Sequence, residues 1–116
     1  MRLRQLLKSK IHRATVTAAD LNYVGSITID QSLLEAVDLW PGELVHVWNV
    51  TNGERFETYA LAGEAGSGVV QVNGSAARRV HIGDIVIVAA FCLADEPVMP
   101  RAVLVDAHNQ FVRYLE

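Results

Sequence analysis

The chain has 116 residues, of which 51% are hydrophobic and 20% are charged, a composition that fits one globular domain and excludes a disordered chain. The formal net charge of −3 argues against nucleic acid as a partner, because phosphate binding requires a basic face. One cysteine excludes an internal disulfide, and the lack of a long apolar run argues against a membrane span, so we expect a cytoplasmic protein.

The pattern along the chain predicts a mainly β protein with short helices. The best candidate helix is 31–39, where the apolar residues share one face and Ser32 with Glu35 is typical of a capping box. Short runs rich in β-branched residues, separated by turn signals, predict strands at 11–16, 26–29, 44–50, 55–61, 69–72, 85–91, 102–106 and 111–115.

The period of two in these strands predicts which side chains share a face. In the first strand, Ile11 and Ala14 are expected on opposite faces. Asn52-Gly53 is a strong hairpin signal between the strands 44–50 and 55–61. The return strand then places two sets of residues on opposite faces, namely Arg55, Glu57 and Tyr59 against Phe56, Thr58 and Ala60.

One internal sequence repeat gives information about the fold. The segments 42–47 and 83–88 share a pattern of glycine, acidic residue, apolar residue and valine, and each follows a strand and a short helical or turn segment. A unit used twice in this way indicates a barrel with pseudo-twofold symmetry. Closing the sheet also removes the exposed edges that short apolar strands otherwise leave.

The common catalytic and metal-binding constellations do not fit this sequence. The glycine-rich segment 63–68 lacks the lysine of a phosphate-binding loop and precedes no helix, so it indicates a mobile loop. No metal site is expected, because the histidines are scattered without ligand spacing at His12, His46, His81 and His108.

Two segments carry residues that a plain barrel does not need. Gly25 precedes Ser26 at the start of a strand; glycine adopts backbone angles closed to other residues, and its carbonyl is open to attack by a following hydroxyl. The polar row with Arg55 and Tyr59 is suited to line a cleft, with Thr58 in a neighbouring space. Taken alone, each segment favours a structural reading, the first as a loop-to-strand junction and the second as a solvent-facing row.

Several short motifs occur in a specific order over most of positions 8 to 91. They are Lys10-Ile11-His12-Arg13, Asp20-Leu21 with Tyr23-x-Gly25-Ser26, Ile29-Asp30, the run from Trp48 to Tyr59, Val72-Asn73-Gly74-x-Ala76-Ala77 and Gly83-Asp84-Ile85-Val86-Ile87. As an ordered set they resemble pyruvoyl-dependent aspartate 1-decarboxylase. The resemblance implies a double-psi β-barrel, a homotetramer, and production of β-alanine for pantothenate and coenzyme A synthesis.

The resemblance also implies a precursor that cuts itself. The Ser26 hydroxyl attacks the Gly25 carbonyl, which Thr58 helps to hold, and the chain divides into a β chain of residues 1–25 and an α chain of residues 26–116. The new end of the α chain is a pyruvoyl group derived covalently from Ser26, and this group is the expected cofactor. Maturation is either spontaneous or assisted by a partner protein.

The same resemblance assigns residues to the substrate, L-aspartate. Its amine forms a Schiff base with the pyruvoyl group, and Tyr59 returns a proton to the α-carbon after CO2 leaves. The two carboxylates need cationic partners, for which Lys10 and Arg55 are the candidates. Thr58 and a turn complete the pocket, the turn with the residues Gly74, Ser75 and Ala76.

Three features depart from the family pattern. Asn22 stands where a histidine is often found, Ser75 replaces an alanine, and the region after Phe91 matches poorly. They bear on processing rate, substrate fit and packing, respectively.

Two alternative functions remain for a chain of this pattern. One is a non-catalytic double-psi barrel that serves as a binding or assembly module. The other is a DNA-binding barrel of the swapped-hairpin kind, which the acidic charge disfavours.

Overall fold

The computed structural model describes residues 1–115, which form nine strands and two short helices. Helix α1 spans Gln31–Ala36, and a 3-10 helix spans Gly74–Arg79. The strands are β1 (Arg4–Thr15), β2 (Ala18–Asp20), β3 (Ser26–Asp30), β4 (Leu44–Asn49), β5 (Arg55–Gly63), β6 (Val70–Asn73), β7 (Ile85–Ala94), β8 (Arg101–Val105) and β9 (Phe111–Tyr114). No helix within residues 1–115 is long and apolar enough to cross a bilayer.

The strands from β2 to β1 in the sheet order β2-β6-β3-β5-β4-β7-β1-β8-β9 close into a barrel. Strand β1 pairs with β7 and β2 pairs with β6, and the chain passes from β1 to β2 through only Val16 and Thr17. The Val16 N–H donates to the Asp84 carbonyl at 2.9 Å, and the Thr17 N–H donates to the Val70 carbonyl at 2.8 Å. This link joins the two ends of the sheet, while β8 and β9 continue it beyond the barrel.

The pattern repeated at 42–47 and 83–88 marks two places where the chain makes the same connection between strands. Gly42 and Gly83 both adopt left-handed backbone angles, with φ of +90° and +96°. The Gly42 N–H donates to the Ala60 carbonyl at 2.7 Å, and the Gly83 N–H donates to the Val16 carbonyl at 2.8 Å. In return, the Ala60 N–H donates to the Glu43 carbonyl at 3.0 Å, and the Val16 N–H donates to the Asp84 carbonyl at 2.9 Å. The predicted double-psi β-barrel is therefore confirmed.

Branched and small apolar side chains fill the barrel interior. Ile27 and Ile29 of β3 are fully buried, whereas Thr28 between them is only partly buried. Val45 and Val47 of β4 show the same alternation. Burying such a side chain contributes roughly 1.5–3 kcal/mol. Because Ile27 and Ile29 point into the barrel, the alternate residues of β3, beginning with Ser26, lie on the opposite face of the sheet.

Strand β1 does not follow the predicted alternation. A bulge lies between Ile11 and Ala14, where Arg13 has a φ of 64°. The bulge turns both Ile11 and Ala14 into the core, at 1% and 0% exposure. The expectation that they lie on opposite faces was wrong, because an extra residue in one strand shifts the phase of the pleat.

Helix α1 is shorter than predicted and is capped by a different residue. The N-cap is Asp30, whose carboxylate accepts a hydrogen bond from the Ser32 N–H at 2.8 Å. Glu35 does not reach back to the cap but accepts a hydrogen bond from the Gln31 side chain at 3.0 Å. The predicted capping box was wrong because the last residue of β3 already satisfies the first turn.

Candidate active site

Ser26 is the first residue of β3, and the surrounding chain encloses it. It is fully buried, and its Oγ donates to the Val24 carbonyl at 2.9 Å while it accepts from Asn73 Nδ2 at 3.0 Å. The second bond follows from the antiparallel pairing of β3 with β6, which sets Ser26 directly opposite Asn73. The hydroxyl is therefore held by two partners beside the Gly25–Ser26 peptide bond.

Asn73 is a site residue that sequence reasoning did not select. It is fully buried, and its Oδ1 accepts from Gln71 Nε2 at 2.8 Å. Because the carbonyl oxygen of the amide is engaged there, the NH2 group faces Ser26 and also lies 3.3 Å from Thr28 Oγ1. Its signal in the sequence is its place in the motif Val72-Asn73-Gly74, directly before the turn that was predicted to complete the pocket.

The glycine requirement lies at Gly74 rather than at Gly25. Gly25 has no left-handed φ, and a Cβ added to it would meet nothing within 4 Å, so the expected need for glycine-only angles there was wrong. Gly74 has a φ of +76°, and a Cβ added to it would lie 2.6 Å from Gly25 Cα and 2.9 Å from Gly25 N. The Gly74 backbone therefore packs directly against the residue before Ser26.

Strand β5 brings two further candidates toward this junction. It runs parallel to β3, with Ala60 opposite Ile27. Continued backward, this register sets Tyr59 beside Ser26 and Thr58 beside the Gly25 end of the strand. Thr58 lies on the inward face of β5, since it is two residues from the buried Ala60 and pairs with the buried Val45 of β4.

A polar groove on the outside of the β4–β5 hairpin contains Arg55. The guanidinium carbon of Arg55 lies 4.7 Å from the centre of the Trp48 ring. The groove continues past Phe56 to Ser75 and Ala76 at the 3-10 helix. One chain thus brings a candidate cation and two candidate pocket residues to one surface.

Lys10 lies apart from that groove. It is in β1, between β7 and β8, next to the buried Ile11, so it is on the outer face of the sheet. Its side chain borders a different pocket, together with Met99 and Pro100. The chain therefore does not bring Lys10 to the groove that contains Arg55.

Asp30 anchors the other end of β3. Its carboxylate accepts hydrogen bonds from the N–H groups of Ser32 at 2.8 Å, Gly66 at 2.9 Å and Gly68 at 2.9 Å. Burial alone would raise the pKa of Asp30, but these backbone donors outweigh burial and hold the pKa below its ordinary value. The charged carboxylate ties the loop after β5 to the strand that begins with Ser26.

Asp84 plays a similar part at the hairpin. The hydrogen bond from Asn49 Nδ2, at 2.8 Å, is the main cause that lowers the pKa of Asp84, and the His81 N–H at 2.9 Å adds to it against the effect of burial. Asn49 ends β4, so this contact fixes the base of the hairpin that carries Arg55. Within residues 1–115, no three histidine, cysteine, aspartate or glutamate side chains are grouped to hold a metal ion.

Comparisons with known proteins agree with one another. A family model described as aspartate decarboxylase matches residues 1–112. An aspartate 1-decarboxylase of Albidiferax ferrireducens is 54% identical over 112 residues, which cover 93% of this chain and 83% of that protein. Another from Caldicellulosiruptor saccharolyticus is 55% identical over 113 residues, which cover 94% of this chain and 88% of that protein.

Among solved structures, a rationally designed DPBB protein is similar at 18% identity and a TM-score of 0.49, over 66% of this chain and 90% of that one. The strand pairing described above defines the barrel independently of this likeness.

Proposed function

The chain belongs to the aspartate decarboxylase family, and from that membership we propose how its own residues make and use the electron-accepting group of the reaction. The reaction removes the α-carboxylate of L-aspartate as CO2 and yields β-alanine, so the chain is a carboxy-lyase. β-Alanine in turn feeds the synthesis of pantothenate and coenzyme A.

The chemistry requires an electron sink at the substrate α-carbon. Loss of CO2 leaves an electron pair there, which water stabilises poorly. A pyruvoyl group, on which this family depends in general, supplies a ketone that takes up the substrate amine and draws off that pair. The surroundings of Ser26 fit such a group: the position is fully buried, Asn73 holds the hydroxyl, and Gly74 packs against Gly25 without a side chain. The held hydroxyl is the observation that carries the proposal.

The group is made from Ser26 in three balanced steps. Ser26 Oγ bonds to the Gly25 carbonyl carbon as the C–N bond breaks, which converts the amide to an ester and frees the amine of residue 26. Loss of the Ser26 α-proton then breaks the bond between Ser26 Cβ and Oγ, so that residues 1–25 leave with a carboxylate. The remaining dehydroalanine takes up water and releases ammonia, which leaves a ketone at the start of residues 26–116. Asn73 orients the hydroxyl, and Thr58 holds the Gly25 carbonyl during the first step.

Two cations are proposed to bind the substrate carboxylates. Arg55 presents a guanidinium in the groove, and such a group grips a carboxylate through two parallel hydrogen bonds. Lys10 is the second cation, and because it lies outside this groove in one chain, it must come from a neighbouring copy. This requirement favours a site shared between subunits, as in the homotetramer that we propose. Ser75 and Ala76 complete the pocket beside Arg55.

Tyr59 is the proposed acid. The pairing of Ile27 with Ala60 supports this role, because Ser26 and Tyr59 each precede one member of that pair. Tyr59 also shares β5 with Arg55. From there its Oη returns a proton to the α-carbon after CO2 has left. Proton transfer from a positioned side chain is typically worth about 10²–10⁴-fold in rate.

The test compares the wild-type chain with Ser26→Ala. We expect the wild type to form β-alanine from L-aspartate and to react with phenylhydrazine, a reagent that traps ketones. Ser26→Ala should remain folded and do neither. β-Alanine formation by Ser26→Ala would remove Ser26 as the source of the electron sink. Incubating purified precursor alone also decides whether maturation is spontaneous or needs a partner protein.

A further inference from the structure

Arg55 is held by an aromatic ring rather than by a carboxylate. Trp48 and Arg55 are directly opposite each other on β4 and β5, and the guanidinium carbon lies 4.7 Å from the ring centre. Within residues 1–115, no carboxylate oxygen lies within 4.0 Å of the Arg55 guanidinium nitrogens. A guanidinium over an aromatic face is attracted by the ring electrons and keeps its N–H groups available for a carboxylate.

The carboxylates that flank Arg55 lie closer to other side chains than to Arg55. Glu54, the preceding residue, forms an ion pair with Arg79 of the 3-10 helix. Glu57, two residues further along the same face, lies 3.8 Å from His46 Nδ1, its partner on β4. All of these side chains except Glu54 border the groove that contains Arg55, and Glu54 borders its continuation toward the 3-10 helix.

We propose that Trp48 and Arg79 are positioning residues for a carboxylate of the substrate. Trp48 fixes the plane of the Arg55 guanidinium, and Arg79 holds Glu54 away so that it does not neutralise Arg55. Loss of either side chain weakens the binding of a carboxylate to Arg55, although neither side chain contacts the reacting atoms. The inference deepens the proposed function, since it rests on Arg55 as a substrate cation.

The first experiment measures carboxylate binding without the reaction. Succinate has two carboxylates and no amine, so its binding to the full-length Ser26→Ala chain, measured by calorimetry, requires no ketone. Adding Trp48→Leu to that chain should raise the Kd by about 2- to 30-fold, the range for losing a cation–π contact from exposed to desolvated sites. Trp48→Phe, which keeps a ring, should give a smaller rise.

Trp40→Leu is the matched control, because Trp40 is 72% exposed and does not border the groove. It should leave succinate binding unchanged. An unchanged Kd in Trp48→Leu, with the fold intact by circular dichroism, would overturn the role of Trp48.

The second experiment tests the Glu54–Arg79 pair with one single variant and the double variant. Arg79→Gln should raise the Kd for succinate roughly fivefold, an effect of the size measured for exposed charge pairs. Adding Glu54→Gln should restore tight binding, because the carboxylate that competes for Arg55 is then gone. If the double variant binds as weakly as Arg79→Gln alone, Arg79 contacts the ligand itself and the proposed role is wrong.

In the mature enzyme the same changes should raise the KM for L-aspartate and leave kcat within about twofold, because neither residue acts on the reacting atoms. A fall in kcat with an unchanged KM would contradict the inference. Lack of self-cleavage in the wild type would instead count against the proposed function, and it would leave the succinate comparison intact.

Discussion

Gly74→Ala is expected to slow maturation strongly while leaving the fold in place. The change adds one methyl group on the 3-10 helix, at the point where the Gly74 backbone packs against Gly25. The new Cβ would lie 2.6 Å from Gly25 Cα and 2.9 Å from Gly25 N, closer than carbon atoms approach in folded proteins. Either the helix start or the Gly25–Ser26 peptide must therefore move.

The size of the effect follows from these distances. Close carbon contacts begin near 3.4 Å, so the two groups must separate by about 0.8 Å. A misplacement of that order between reacting groups costs roughly 10²-fold in rate, so we expect cleavage to slow by about 100-fold. The left-handed φ of residue 74 adds about 1–2 kcal/mol of strain for alanine.

The assay follows the uncleaved chain and its two fragments over time on a denaturing gel. Gly53→Ala is the matched control, because its φ of +79° is almost the same as that of Gly74 while a Cβ there would meet nothing within 4 Å. It should lose a similar amount of thermal stability and still cleave as the wild type does. Gly25→Ala should slow cleavage less than Gly74→Ala, since that position has open space. Normal cleavage by a folded Gly74→Ala chain would refute the steric reasoning.

The remaining predictions concern the hydroxyl, the proton and acid stability. Asn73→Ala should slow cleavage by about tenfold on the same gel assay, because it removes the hydrogen bond to Ser26 Oγ, and such bonds are worth about 1–3 kcal/mol when one partner is lost. Tyr59→Phe should still cleave but lose about 10²–10⁴-fold in kcat for β-alanine formation. Asp30 and Asp84 have lowered pKa values in the folded chain, so their contribution to stability is full above the unfolded pKa of about 3.9 and is lost as pH falls through the lower folded values. The Tm should therefore fall below about pH 4, and Asp84→Asn should show a smaller fall; an equal fall in that variant would count against this assignment.

Features set by local chemistry were predictable from the sequence. Asn52-Gly53 predicted the β4–β5 hairpin, and Gly53 has the left-handed φ that the turn requires. The last two strands were also predicted from their β-branched residues, and they pair as β8 and β9 with a left-handed Asn109 between them. The repeated glycine-acid pattern predicted the pseudo-twofold barrel because Gly42 and Gly83 each serve a local bend as well as a long-range contact.

Features set by contacts between distant segments were not predictable. The bulge at Arg13 depends on how β1 pairs with β7, and no residue type in that strand signals it. The role of Asn73 depends on its placement opposite Ser26 across two strands. For the same reason, the glycine requirement falls on Gly74 and not on Gly25, 49 positions earlier in the chain. Lys10 matched the family in sequence, yet only the barrel reveals that it faces a separate pocket.

Intact-mass spectrometry of the purified wild-type chain tests the central claim most directly. We expect two fragments divided after Gly25, the larger one lighter by one ammonia than a peptide that starts with serine. A single uncut mass from material that converts L-aspartate to β-alanine would contradict it.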